Sequence, residues 1–209
     1  MKQQFRKILS LTTAAVLTLG MVVTAHAADS GMTRGEMAKL LVEGAGLSGQ
    51  AAEYAAKTSA FQDVAEGSAY EGYINLAYDQ GLMSGMSAQE FGPDGQVTRG
   101  QVVTILWRLA GSPTVSGKAF PDVSASAWYA DAVAWASANG VVSGYENGGF
   151  GPGDPVTREQ LAAILYRYAQ LSGKDTDQTA DLSGYTDSVT ISAWAPQALK
   201  WAVGSGLIS

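Results

Sequence analysis

Three tetrads of one type recur along the chain: Thr33-Arg34-Gly35-Glu36, Thr98-Arg99-Gly100-Gln101 and Thr157-Arg158-Glu159-Gln160. Their chemistry is that of an anion grip. A guanidinium presents a planar fork that matches the two oxygens of a carboxylate, and a helix N-terminus adds N–H donors beside it. Each tetrad opens an apolar run, at Met37-Ala38-Lys39-Leu40-Leu41, at Val102-Val103-Thr104-Ile105-Leu106-Trp107 and at Leu161-Ala162-Ala163-Ile164-Leu165-Tyr166. Thr followed three residues later by Glu or Gln is a capping box: Thr33, Thr98 and Thr157 take one orphan N–H, and Glu36, Gln101 and Gln160 take another. Helix physics thus accounts for the first and fourth positions and leaves the Arg unexplained. A cation in the first turn opposes the helix dipole at a cost of up to about 1 kcal/mol. The same cost at three equivalent places has two readings: an anion held at the helix start, or an ion pair with Asp or Glu across a neighbouring helix. A charged hydrogen bond of the first kind contributes roughly 1.5–3 kcal/mol, a tenfold to hundredfold effect on affinity.

Other chemistries are poorly supplied. Lys2, Arg6 and Lys7 precede an apolar run from Ile8 to Val23, and Ala25-His26-Ala27 is a small-x-small cleavage site, so residues 1–27 read as a secretory signal peptide. The run is short for a membrane span. Cleavage removes three of 13 basic residues and none of 19 acidic ones, taking the net charge from −6 to −9, and it removes the single His; there is no Cys. Zinc sites and Ser-His-Asp or Cys-His catalysis are thereby excluded. The acidic balance argues against nucleic acid as a partner. A glycosidase-type carboxylate pair is the remaining enzymatic route. Glu36 and Glu159 are its obvious members, but both stand at helix starts, and the positions equivalent to Glu36 carry Gln. Asp175-x-Asp177-x-x-x-Asp181 has the opening spacing of a calcium loop without its Gly or its closing Glu. The expectation is a soluble exported protein that is not an enzyme, with no catalytic residues, no metal and no cofactor.

The elements that position the three Arg residues are repeats. Moving 59 residues along the chain carries Phe61-x-Asp63-Val64 onto Phe120-x-Asp122-Val123, Gly81–Gly85 onto Gly140–Gly144, Phe91-Gly92-Pro93 onto Phe150-Gly151-Pro152 and Val97-Thr98-Arg99 onto Val156-Thr157-Arg158, without a gap. A partial third copy runs from Tyr185-x-Asp187 through Trp194, Leu199, Trp201 and Ala202 to Gly206-Leu207-Ile208-Ser209. Each unit reads as two helices. The first is capped by a tetrad; the second carries Trp128, Ala132, Trp135 and Ala136, or Trp194, Ala198, Trp201 and Ala202, at helical spacing, and ends at Gly81, Gly140 or Gly206. The third copy stops before its Phe-Gly-Pro loop and its capped helix stands at the other end, from Thr33, so the N-terminal helix is expected to complete a wrapped unit. Strand alternation is weak, and the fold class expected is all-α, three helix pairs in a pseudo-threefold bundle with turn-rich loops. Ser48–Ala60 and Gly173–Gly184 read as exposed linkers.

The ordered run Phe-x-Asp-Val, Trp-Tyr, Trp-Ala, Gly-Val-Val-Ser-Gly-Tyr, Gly-Phe-Gly-Pro, Val-Thr-Arg-Glu-Gln resembles the S-layer homology repeat, and the likeness covers about Met32 to Ser209. The resemblance implies a domain over residues 28–209 with units near 61–110 and 120–170 and a third from 185–209 plus 32–47. It implies non-covalent anchoring of an exported protein to anionic secondary cell wall polysaccharide bearing pyruvate ketals, with Arg34, Arg99 and Arg158 contacting the ligand in grooves between units. Trp128 and Trp194 begin second helices, where an indole can stack on a sugar, whereas Trp135 and Trp201 read as core. Asp63, Asp122 and Asp187 suit a turn or cap, with a sugar hydroxyl as the alternative partner. Gly85 and Gly144 suit positive-φ turns or close approach of a ligand. Gly35 and Gly100 stand where the family usually has Ala. No Phe-Gly-Pro loop precedes Thr33, which favours Arg99 and Arg158 over Arg34. The rival readings are a surface-layer assembly module whose partners are other surface-layer proteins, and a wall-glycan hydrolase.

Overall fold

The computed structural model describes residues 31–114, 117 and 120–208. The signal peptide expected over residues 1–27 lies outside them, as does Ser209. Among the described residues there are seven α-helices, one 3-10 turn at Ser188–Thr190 and no strand. None of these helices is long and apolar enough to cross a membrane. The helices are α1 Arg34–Gly44, α2 Ser48–Ala55, α3 Glu71–Asp79, α4 Arg99–Leu109, α5 Ala130–Ala138, α6 Arg158–Leu171 and α7 Pro196–Gly204.

The three capping boxes form as the spacing requires. Thr33, Thr98 and Thr157 each accept the N–H of the fourth tetrad residue at 3.2–3.3 Å. Their own N–H groups donate to Glu36 at 2.7 Å, Gln101 at 3.2 Å and Gln160 at 3.4 Å. The second helices stop through one device. Gly81, Gly140 and Gly206 take φ near 69°. The following residues Leu82, Val141 and Leu207 donate back to Ala77, Ala136 and Ala202 at 2.8–2.9 Å, which is the Schellman closure.

The chain divides into two compact units. In residues 32–96, α1 and α2 both pack on α3. Met37, Ala38, Val42, Ile74, Leu76 and Ala77 meet there, and Phe61 and Phe91 close one end of the core. The helix α2 corrects the reading of Ser48–Ala60 as a linker. Its Ala51 is buried, and the helices approach so closely that a Cβ on Gly72 would run into the Ala51 carbonyl. The buried Asn75 side chain of α3 donates to Tyr54 and Lys57 carbonyls at 3.1 and 3.3 Å, satisfying the C-terminal end of α2.

In residues 97–208, α4 pairs with α5 and α6 with α7. Val102, Val103, Leu106, Val133, Trp135, Leu161, Ile164, Leu199 and Trp201 are buried. The segment before α7 is tied to it by Ala180 N–H donating to the Lys200 carbonyl at 3.0 Å. Three helix pairs, each a capped helix with the second helix that follows it, are therefore present.

Candidate functional site

The turn Phe91-Gly92-Pro93 is held from both sides. Asp63, two residues past Phe61, accepts the N–H groups of Phe91 at 2.8 Å and Gly92 at 2.6 Å. Arg34, the first residue of α1, donates from Nε to the Phe91 carbonyl and from Nη2 to the Ser84 carbonyl, both at 2.7 Å. Its guanidinium lies 4.5 Å from the Phe91 ring centroid. The copy 59 residues on repeats the arrangement. Asp122 accepts Phe150 N–H at 2.8 Å and Gly151 N–H at 2.7 Å. Arg99 Nε donates to the Phe150 carbonyl at 2.9 Å, and its guanidinium lies 4.9 Å from the Phe150 ring and 4.5 Å from the Tyr145 ring. In both copies the turn Phe is fully buried against Phe61 or Phe120.

This clamp accounts for the Arg at an unfavourable helix start. Arg34 and Arg99 are 4% and 5% exposed, and burial pushes both guanidinium groups below the ordinary Arg range, opposed by Asp63 in one case and by Tyr145, Asp154 and Asp122 in the other. Neither cation stands out into solvent at the helix entrance. Nor are the first helical N–H groups offered to an anion. Arg34 and Gly35 donate to Gly95 and Pro93 carbonyls at 2.8 Å, and Arg99 and Gly100 to Asp154 and Pro152 carbonyls at 3.0 Å. The turn carbonyls take the N–H groups at both helix starts.

The two Asp side chains take the turn role. Their carboxyl groups sit below the ordinary range. For Asp122 the Phe150 and Gly151 N–H bonds are the main cause. For Asp63 desolvation pushes upward and is outweighed by the Phe91 and Gly92 N–H groups and the nearby Arg34 charge.

The glycines separate. Gly144 has φ 80°. Gly85 has no positive φ, contrary to expectation; a Cβ there would run into the Phe61 ring and the Ser87 carbonyl, so close packing is its reason. Gly35 and Gly100 are small for a related reason: a Cβ would stand 2.8 Å from the Tyr70 ring in one case and from the Pro152 carbonyl in the other.

Trp135 and Trp201, within α5 and α7, are buried, while Trp128 and Trp194 stand two residues before those helices instead of beginning them and are 62% and 54% exposed.

The third tetrad differs. Arg158 is half-buried rather than buried. Glu159, in the first turn of α6, accepts Ser192 N–H on its Oε1 at 2.8 Å. Arg158, Glu159, Tyr185 and Asp187 line one hollow together with Leu182, Thr190, Ile191, Leu199, Val203 and Ile208. Sequence reasoning found the three Arg and the three Asp in this set. It missed Tyr145, whose register with Met86 conceals a cation–π partner.

Among the described residues no group of three or more His, Cys, Asp or Glu is placed to hold a metal ion. Asp175 and Asp181 instead accept the N–H groups of Asp177 and Ser183 at 2.8 and 2.9 Å, as turn-forming side chains do.

Residues 60–103 and 119–162 match the S-layer homology domain family. The chain is similar to a surface-layer 125 kDa protein of Lysinibacillus sphaericus, with 32% identity over 135 residues, covering 65% of this chain and 11% of that protein. It is similar to an endoglucanase of a Bacillus species, with 33% identity over 142 residues, 68% of this chain and 15% of the enzyme. A cellulosome-anchoring protein of Acetivibrio thermocellus is 28% identical over 138 residues, 61% of this chain and 29% of that protein. The chain thus spans a small fraction of these relatives, and what it shares with the endoglucanase is a segment of 142 residues. With the repeated Asp–turn–Arg clamp, the matches identify residues 60–103 and 119–162 as two tandem S-layer homology domain units.

Proposed function

We propose that the chain anchors an exported protein to the cell wall by holding an anionic, pyruvate-bearing wall polysaccharide, and that the third unit suggested by Tyr185–Ile208 belongs to the same module. The names of two relatives, a surface-layer protein and a cellulosome-anchoring protein, support attachment at the cell surface. The observation that carries the polysaccharide reading is at Arg99. Its Nε is fixed by the Phe150 carbonyl and its plane lies against Tyr145. Its two Nη groups make no hydrogen bond among the described residues, whereas Arg34 uses Nη2 on Ser84. A guanidinium already oriented, with donors left over, suits a ketal carboxylate at small ordering cost. The exposed Trp128 and Trp194 offer apolar faces to sugar rings.

The test is cosedimentation with native and depyruvylated wall polymer. Arg99→Lys keeps the charge and removes the planar fork. Retention on native polymer should fall roughly tenfold or more, and loss of the ketal should have the same effect on the wild type. Equal retention on both polymers would reject the anionic ligand. Retention on polymer-depleted walls would favour surface-layer assembly through protein contacts.

A further inference from the structure

The two clamps share their backbone chemistry and differ in the side chains around the guanidinium. Met86 and Gly95 in the first copy are the repeat equivalents of Tyr145 and Asp154 in the second. Both differences fall at the second glycine-bearing turn position. A Cβ on Gly92 would meet Met86 and Arg34, whereas one on Gly151 would run into the Tyr145 ring and the Asp154 carboxylate. The charge of Asp154 acts on Arg99, together with that of Asp122. In the first copy Asp63 acts on Arg34, and the turn's own acid, Asp94, acts on Tyr70. The backbone role of Asp154 does not need its carboxylate. Its carbonyl accepts the Arg99 N–H at 3.0 Å, as the Gly95 carbonyl accepts the Arg34 N–H at 2.8 Å. The carboxylate instead faces solvent and the Tyr145 hydroxyl.

We infer that Asp154 is a specificity-determining residue of the Arg99 site, admitting a sugar carboxylate with hydroxyls beside it and turning away phosphate-bearing polymer. This rests on the reading of Arg99 as the anion contact. Arg99 is buried and Tyr145 half-buried, while Asp154 and Asp122 are exposed. An anion therefore reaches one buried cation past two exposed carboxylates, a lining that is net negative. A single ketal carboxylate on an otherwise neutral sugar meets that repulsion once. A phosphodiester polymer meets it at every unit along its length. An ionised Asp only accepts hydrogen bonds, and the donors that an anionic sugar brings are its hydroxyls. The first copy lacks this acid, and its Arg34 already spends Nη2 on the Ser84 carbonyl.

The test compares retention of the chain on pyruvate-bearing wall polymer and on poly(glycerol phosphate), at roughly 50 and 500 mM salt. The wild type should favour the pyruvate-bearing polymer. Asp154→Asn keeps the backbone carbonyl and the shape of the side chain and removes the charge. It should raise retention on poly(glycerol phosphate) about threefold at the lower salt and change little at the higher. Asp131→Asn removes the same charge from an exposed position on α5 and should leave the ratio of the two retentions as it is. Salt should also narrow the preference of the wild type, an arm that requires no change in the protein. An unchanged ratio in Asp154→Asn, or an equal change in Asp131→Asn, would overturn the specificity role and leave the anion contact at Arg99 standing. Equal retention of the wild type on native and depyruvylated polymer would overturn the anchoring reading, and this inference with it.

Discussion

Asp63 and Arg34 grip opposite faces of one peptide unit: the carboxylate takes the N–H groups of Phe91 and Gly92, and the guanidinium takes the Phe91 carbonyl. The two side chains do not touch as an ion pair. Opposite charges act through a backbone turn whose donors and acceptors would otherwise be left at a buried Phe. Asp122 and Arg99 do the same to Phe150.

Removing the carboxylate should therefore loosen the turn more than an exposed Asp normally would. Asp122→Ala leaves two N–H groups without their acceptor and is expected to cost about 1–2 kcal/mol. Urea unfolding of Asp122→Ala beside Asp131→Ala, an exposed Asp on α5, checks it; equal midpoints would remove the clamp as a stabilising device.

Acid should act through the same groups. A carboxyl held low in the folded chain binds its proton less readily there than when unfolded. Its stabilisation is complete above the unfolded pKa and is lost as pH falls through the folded value. Asp63 and Asp122 are both of this kind. Urea midpoints should drop as pH passes below the ordinary carboxylate range, and the double variant Asp63→Asn/Asp122→Asn should show a shallower drop.

The two loop glycines should differ under substitution. At Gly144 an Ala meets both a φ of 80° and the Phe120 ring, for an expected cost of about 2–4 kcal/mol. At Gly85 only the Phe61 ring and neighbouring carbonyls oppose it, for about 1–3 kcal/mol. Thermal unfolding of Gly85→Ala and Gly144→Ala gives the order; a reversed order would contradict the backbone assignment.

Four of the five tryptophans should sort by burial and not by repeat unit. Trp128→Ala and Trp194→Ala should change stability by no more than about 0.5 kcal/mol and reduce retention on wall polymer. Trp135→Ala should cost about 3–5 kcal/mol by emptying the core beneath α5. Unaltered retention in the Trp128→Ala/Trp194→Ala double variant would remove both indoles from the sugar-binding surface.

The capped helices and the glycine-closed helix ends were legible from local spacing alone. A capping box joins residues three apart, and a Schellman turn joins residues three and five apart. Such contacts form wherever Thr-x-x-Glu/Gln and a suitably placed Gly occur, so Thr33, Thr98, Thr157, Gly81, Gly140 and Gly206 could all be read correctly. The repeat was equally legible, because it places the same residues at the same intervals. The α2 helix was not: its eight residues are rich in Ala and it is held by Asn75 and by the bare backbone at Gly72, neither of which leaves a periodic signal.

Only the folded chain shows what Arg34 and Arg99 bond to within it. The sequence marked them as anomalous, since a cation opposes the helix dipole. It could not name their partners, because the Phe91 and Phe150 carbonyls lie 57 and 51 residues away along the chain. A backbone carbonyl belongs to every residue and leaves no mark in the sequence, whereas an external anion is suggested by any exposed Arg. Folding brings a turn to the starts of α1 and α4 and leaves a hollow at the start of α6. That difference separates Arg34 and Arg99, whose Nε atoms hold a turn, from Arg158, which lines a hollow.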